Sequence, residues 1–214
     1  KDTVREGYCG EIRYAGQRTN ISPNIIFGIG HATFAAELGN DIWAPVPPSS
    51  LHVLQGAQIV VNLSADREIL MREQYRSELL KGHSAKTLCG YVYASTGFGE
   101  STQDNVYAGA ASIWENGCRL AENDRYQTAS SMIVADTDVE KLDGLRRRSS
   151  VFANVSPVGT DASTYYRSYD RRSLGDPCQT DFGKKLYRYV EPHAFVPSDD
   201  LGYRCREILE IQIA

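Results

Sequence analysis

No two cysteines in this chain stand close enough to form a C-x-x-C pair, and the five present (Cys9, Cys89, Cys118, Cys178, Cys205) are scattered and odd in number. That pattern excludes a disulfide framework and a zinc site of ordinary spacing. A reducing cytoplasm is the expected home, and the N-x-S triplets at Asn20, Asn62 and Asn154 are then chance matches. No apolar run approaches the ~20 residues a membrane span needs, so no membrane partner is expected. There is no signal-peptide pattern and no initiating methionine; a start at Lys1 suggests a processed, trimmed or cut N-terminus. Basic charge is not in excess. With 23 Lys and Arg against 27 Asp and Glu, a net charge of −4 argues against nucleic acid as the main partner. The densest basic run, Arg146–Arg148, follows Asp136, Asp138, Glu140 and Asp143 and reads as a solvated helix face. His31, His52, His83 and His193 fall on different elements without ligand spacing, so turn or surface roles are expected and no metal is.

What is present is ordinary globular material, 42% hydrophobic and 23% charged over 214 residues, enough for one large domain or two small ones. The chain is organised around residues 34–50, FAAELGNDIWAPVPPSS. An apolar run from Phe34 climbs to Glu37-Leu38, meets Gly39, and restarts through Asn40-Asp41 into Ile42-Trp43 and a proline-punctuated loop. A buried strand ending in a sharp turn is where proteins present a nucleophile, with the following backbone N–H groups free to face an oxyanion. The corner residue here, Gly39, has no side chain with which to do chemistry.

Around that corner the pattern alternates strands and helices. Strands are expected at Glu11–Tyr14, Asn24–Ile29, Thr33–Leu38, Gln58–Leu63 and Gly90–Ala94, with a short helical stretch at Ser50–Leu54 closed by Gly56. A long helix is expected from about Asp66 to Ala85 on the spacing of Ile69, Leu70, Tyr75, Leu79 and Leu80. Asn116-Gly117 marks a hairpin between Ala110–Trp114 and Cys118–Ala121. A strand at Ser131–Val134 and a helix at Asp136–Arg147 follow, giving an α/β protein with strands between helical layers. The loop carrying Glu100, Ser101, Thr102 and Asp104 is either the edge of a ligand pocket or a turn satisfying its own backbone. From residue 156 to 184 the texture is polar and tyrosine-rich (Tyr165, Tyr166, Tyr169), as in a linker, a wrapping arm or an interface. Ser198 or Asp199 then caps a helix that places Leu201, Cys205, Ile208 and Leu209 on one face. The chain stops inside that helix, which suggests a cut before another domain. The expected organisation is a partial domain over 1–155, an arm over 156–194 and a leading helix over 195–214. Cys89 and Cys118 have no base beside them and read as structural thiols.

Five blocks carry a resemblance, in the family's order: ELGNDIWAPVPPSS (Glu37–Ser50), VVNLSA (Val60–Ala65), SAKTLCGYVYASTGFGESTQD (Ser84–Asp104), IWENGCRLAENDRY (Ile113–Tyr126) and FVPSDDLGYRCREILEIQIA (Phe195–Ala214). Together the chain resembles the glutaminase domain of glutamine-dependent NAD synthetase, of the nitrilase superfamily, with the start of the connection to the synthetase domain. The resemblance implies part of a nitrilase-type α-β-β-α sandwich. It implies glutamine as substrate, hydrolysed by a glutamate, a lysine and a cysteine: the thiolate attacks the amide carbon, the carboxylate carries the proton to leaving ammonia, and the lysine stabilises the oxyanion. The ammonia serves amidation of nicotinic acid adenine dinucleotide in a synthetase domain that uses ATP and Mg; no cofactor is expected in this chain. Homo-oligomers are the family's habit.

The departures are specific. The family's elbow reads E-x-C-E-D, where this chain has Glu37, Leu38, Gly39, Asn40 and Asp41, so Gly39 stands at the nucleophile's position and Asn40 at an acidic one. Asp66 replaces a residue expected to help hold glutamine, whereas Arg72 matches a basic position near the substrate. Lys1 lacks the context of the catalytic lysine, and the glutamate and lysine would lie upstream of it. The chain as given is therefore expected not to hydrolyse glutamine. An engineered change, a natural pseudoenzyme and a damaged gene are all open origins; that Asn40 and Asp66 depart beside Gly39 favours drift. The alternative class is a catalytically dead nitrilase-like structural or assembly module.

Overall fold

The computed structural model describes residues 10–100, 103–155, 170–175, 185–192 and 200–213. Nine strands and five helices are assigned there: β1 Gly10–Tyr14, β2 Gln17–Ile21, β3 Ile25–Ile29, β4 Ala32–Leu38, α1 Pro48–Leu54, β5 Ile59–Ser64, α2 Arg72–Thr87, β6 Gly90–Ser95, β7 Ala111–Glu115, β8 Cys118–Glu122, α3 Val139–Arg148, α4 Ser150–Val155, β9 Asp170–Ser173 and α5 Leu201–Ile213. Among the described residues β1 and β2 pair only with each other, and the other seven form one sheet in the order β8-β7-β6-β5-β4-β3-β9. Its centre is parallel, β4 beside β5 beside β6, with Leu38 level with Leu63 and Leu63 level with Ala94. Antiparallel pairs flank that centre on both sides.

The period of two along these strands decides the core. Val60 of β5, Tyr91 and Tyr93 of β6 and Trp114 of β7 point to one face and are buried with Val53 of α1, Leu80 of α2 and Ile42. α1 packs on β4 and β5, and α2 on β6, β7 and β8, so that face is roofed by helices. On the alternate positions Ala36, Leu38 and Leu63 are exposed, the two leucines by 54% and 58%. Parallel strands are ordinarily covered on both sides; here the second face is exposed at Ala36, Leu38 and Leu63 among the described residues.

Several sequence expectations change in the structure. The long helix begins at Arg72, not Asp66, because Met71 sits in the left-handed region (φ +68°), while residues 66–71 are tied down in other ways. Asp66 N–H donates to Ser95 Oγ at 3.1 Å and Glu68 N–H to the Val106 carbonyl at 2.8 Å. Residues 131–134 form no strand; Met132 is 86% exposed and none of the described strands pairs with it. Conversely, β9 lies within the stretch read as an arm, pairing parallel to β3 despite its charged sequence DRRS. Arg146 is not solvated: its guanidinium donates to the Leu88 carbonyl at 3.0 Å and the Ala57 carbonyl at 2.9 Å, pinning α3 under the sheet. His52 and His83 are buried at 2% and 5% exposure, not turn or surface residues. Asn62 is fully buried. The expected residues Cys9, Cys178, Ser101, Thr102, Tyr165, Tyr166, Tyr169, His193, Ser198 and Asp199 lie outside the described residues. No described helix is long and apolar enough to cross a membrane.

Candidate active site

The strand-turn predicted around Gly39 is present. β4 ends at Leu38, Gly39 turns with φ +56°, and a 3-10 turn runs over Gly39–Trp43. A left-handed φ costs a non-glycine residue steric strain, and glycine adopts it freely. Asp41 ties the corner: its carboxylate accepts from Leu38 N–H at 3.1 Å and its carbonyl from Ala44 N–H at 3.0 Å. The corner lies at the carboxyl ends of the parallel strands, the usual ligand-binding edge of such sheets.

Beneath the corner is a buried polar network. Glu37, two residues before Gly39 and 3% exposed, points inward by strand alternation. Its carboxylate accepts from Ser49 N–H at 3.0 Å, from the Tyr91 hydroxyl, and from Asn62 Nδ2 at 3.4 Å. The same Asn62 amide reaches Tyr91 Oη at 3.1 Å and the Gly39 carbonyl at 3.4 Å. Ser49 Oγ lies 2.9 Å from His83 Nε2 on α2. Burial raises the Glu37 pKa above the ordinary carboxylate value, with the bonds from Tyr91, Ser49 and Asn62 opposing it. Burial likewise lowers His52 and His83, each to about 4, with the Lys86 charge adding to the effect at His83. Sequence reading missed Glu37 and Asn62 as a network, although an acidic residue inside the apolar run 34–38 was the available signal.

Beside the corner opens a cavity of about 370 Å³ lined by Asn40, Ala65, Asp66, Arg67, Ile69, Arg72, Asn105 and Tyr107. Three residues singled out from the sequence, Asn40, Asp66 and Arg72, therefore share one wall, and Gly39 adjoins it through Asn40. Asn105 and Tyr107 were missed; they follow directly on the polar loop read as a pocket edge, displaced from Glu100 and Asp104 by a few residues. Asp66, 4% exposed, accepts from Arg72 Nε (3.2 and 3.1 Å) and Nη2 (2.9 Å), and from Arg76 Nη1 at 3.2 Å. Arg72 also lies over the Trp43 ring, 3.6 Å from its centre. Arg76, 1% exposed, is further held by Glu68 at 2.6 Å and by Glu73. Burial alone would lower the Arg76 pKa, but the carboxylates around it, Glu68 first, raise it instead.

Neither candidate thiol serves this corner. Cys89 is fully buried with Thr87 Oγ1 at 3.1 Å, and burial pushes its thiol up to about 11. Cys118 is exposed but lies level with Glu115 and Gly90, at the other end of the sheet from the Leu38–Leu63–Ala94 row. Those rows are separated by about 13 Å of strand at ~3.3 Å per residue. Among the described residues, no three of His, Cys, Asp and Glu are placed to hold a metal ion.

No protein-family model matches the chain. Over 98% of its length it is 34% identical to the glutamine-dependent NAD(+) synthetase of Mycobacterium tuberculosis, and over 96% it is 33% identical to that of Mycobacterium leprae. It spans 31% and 30% of those proteins, under a third of their length. In structure it is similar to a carbon-nitrogen hydrolase from Helicobacter pylori, with a TM-score of 0.50 and 16% identity, covering 64% of this chain and 50% of that one. The chain is thus homologous over nearly its whole length to part of the glutamine-dependent NAD(+) synthetases, and it shares its α/β fold with that carbon-nitrogen hydrolase.

Proposed function

We propose that this chain is the glutamine amidohydrolase part of a glutamine-dependent NAD synthetase, the part that supplies ammonia for amidation of nicotinic acid adenine dinucleotide, and that it is inactive as it stands. The observation that carries this reading is the corner itself: a strand end, a left-handed turn at residue 39 and an adjoining cavity at the carboxyl edge of the parallel strands, with glycine where attack would begin. A cysteine there would supply the thiolate for attack on the side-chain amide, and the resulting thioester would need a base and an oxyanion cation. Those roles belong, in the family pattern, to the glutamate and lysine upstream of Lys1. Asn40, Asp66 and Arg72 are the residues we assign to the substrate wall. ATP and Mg belong to the synthetase part, which with glutamine and a second copy of the chain completes the proposed partners.

A second reading has its own observation. Asp66 pairs with Arg72 in the cavity wall and with the buried Arg76 behind it, which suits a nitrilase-like module kept for assembly, its substrate site turned to structure. One experiment separates the two: glutamine-dependent ammonia release by the parent-length protein carrying Gly39→Cys. Restored release supports the glutaminase reading. Persistent inactivity with oligomers retained supports the assembly module.

A further inference from the structure

Arg72 is the cation best placed to meet a ligand in the cavity. It lines the wall, its plane is fixed against Trp43, and its side chain keeps 24% exposure. Such a stacked guanidinium is preorganised to grip a carboxylate with two parallel N–H bonds. That grip is already filled: Asp66, six residues upstream, receives both Nε and Nη2. The two arginines on Asp66 differ in what else they hold. Arg76 keeps Glu68 and Glu73 if Asp66 is removed. Among the described residues, Arg72 has no other carboxylate within ion-pair reach, and Arg67, exposed on the same wall, has none at all. Asp66 therefore neutralises one cavity cation specifically.

We propose that Asp66 is an internal carboxylate occupying the anion position of this cavity, and that it determines specificity by excluding small carboxylate ligands from Arg72. Being tethered, it competes at a high effective concentration with any free carboxylate. Neutralising it leaves Arg72 and Arg67 facing the cavity without a counter-charge. Glutamine carries a carboxylate of its own, so the inference rests on the reading of this site as a glutamine pocket and adds to Gly39 a second reason for a chain inactive as it stands; the probes below involve no hydrolysis, so either can fail without the other.

The test is calorimetric titration of the 214-residue chain and its Asp66→Asn variant with glutarate and with its neutral diamide, glutaramide. The unaltered chain should show no preference for glutarate. Asp66→Asn should bind glutarate at least about tenfold more tightly than glutaramide, and Asp66→Asn with Arg72→Gln should lose that preference. Equal glutarate affinity with and without Asp66, or a folded Asp66→Asn chain with no preference, would overturn the proposal. Should the variant not fold, the unaltered chain still decides. Its Arg72 Nε–H resonance, assigned by its loss in Arg72→Gln, should not move on addition of glutarate, and a saturable shift there would sink the idea.

Discussion

An added Cβ at Gly39 would meet no heavy atom within 4 Å, so space does not exclude a side chain at the corner. Backbone conformation does the resisting: at φ +56° an L residue carries about 1–2 kcal/mol of strain. Gly39→Cys should therefore fold with an unchanged circular dichroism spectrum and lose about that much stability in a urea titration. A loss several times larger would mean that the corner is packed in solution. The histidines give a second residue-level expectation. His52 and His83 have folded pKa values near 4 against an ordinary value of 6.5, so between those limits the unfolded chain binds protons that the folded chain refuses. Their contribution is complete above about pH 6.5 and is lost as pH falls toward 4. Glu37, raised by burial, acts in the opposite sense, its stabilising effect fading as pH rises through its folded value. Lowering pH from 7 to 5 should cost roughly 2 kcal/mol per histidine, and His83→Gln should flatten the slope by about that amount. Neither burial was legible beforehand, because a lone histidine in a sequence carries no mark of which face it occupies. Gly39 was legible, since the apolar run, glycine and polar restart are all local signals.

At the scale of elements, local turn chemistry read best and helix faces read worst. Asn116-Gly117 predicted its hairpin because both residues take positive φ (+46° and +82°), as a two-residue turn between twisted strands requires. Gly117 is also pressed on α2: an added Cβ would lie 3.0 Å from Ala85 Cβ and 3.6 Å from the Lys81 carbonyl. Gly117→Ala should cost about 1–3 kcal/mol, combining turn strain with the contact, and hydrogen exchange should report it across β7 and β8 first. Exchange raised uniformly would argue against so local an origin. α2 shows why periodicity misled. Its buried residues are Arg76, Leu80, His83, Ser84 and Thr87, four of five polar, while Tyr75 is 64% exposed. A helix that buries ion pairs and hydroxyls leaves no apolar stripe to find, so Ile69 and Leu70 were counted into a helix that begins after them. β9 was missed for a related reason. DRRS has no strand character, and its place is set by Ile25–Gly28 alongside and by Arg171 donating to the Gln55 carbonyl at 2.7 Å.

For the whole molecule, the α/β class followed from alternating strand and helix signals, whereas the openness of the sheet could not, since a buried strand looks the same whichever layer covers it. Leu38 and Leu63 stand side by side on β4 and β5, both more than half exposed, on parallel strands of the kind normally enclosed. The described residues of α5 are exposed as well, including Ile208, Leu209, Ile211 and Ile213. Burying two leucine side chains and the apolar side of a three-turn helix would add several kcal/mol at ~25 cal/mol per Å², comparable to the whole stability of an ordinary domain. The isolated chain should therefore be marginal, with a low, broad thermal transition in scanning calorimetry. It should also self-associate through its open sheet face. Leu38→Lys with Leu63→Lys should suppress that association in sedimentation experiments while shifting stability by only about 0.5 kcal/mol per site, because exposed positions contribute little to a monomer. A sharp, cooperative melt at high temperature from a monomeric chain would show that the face needs no cover.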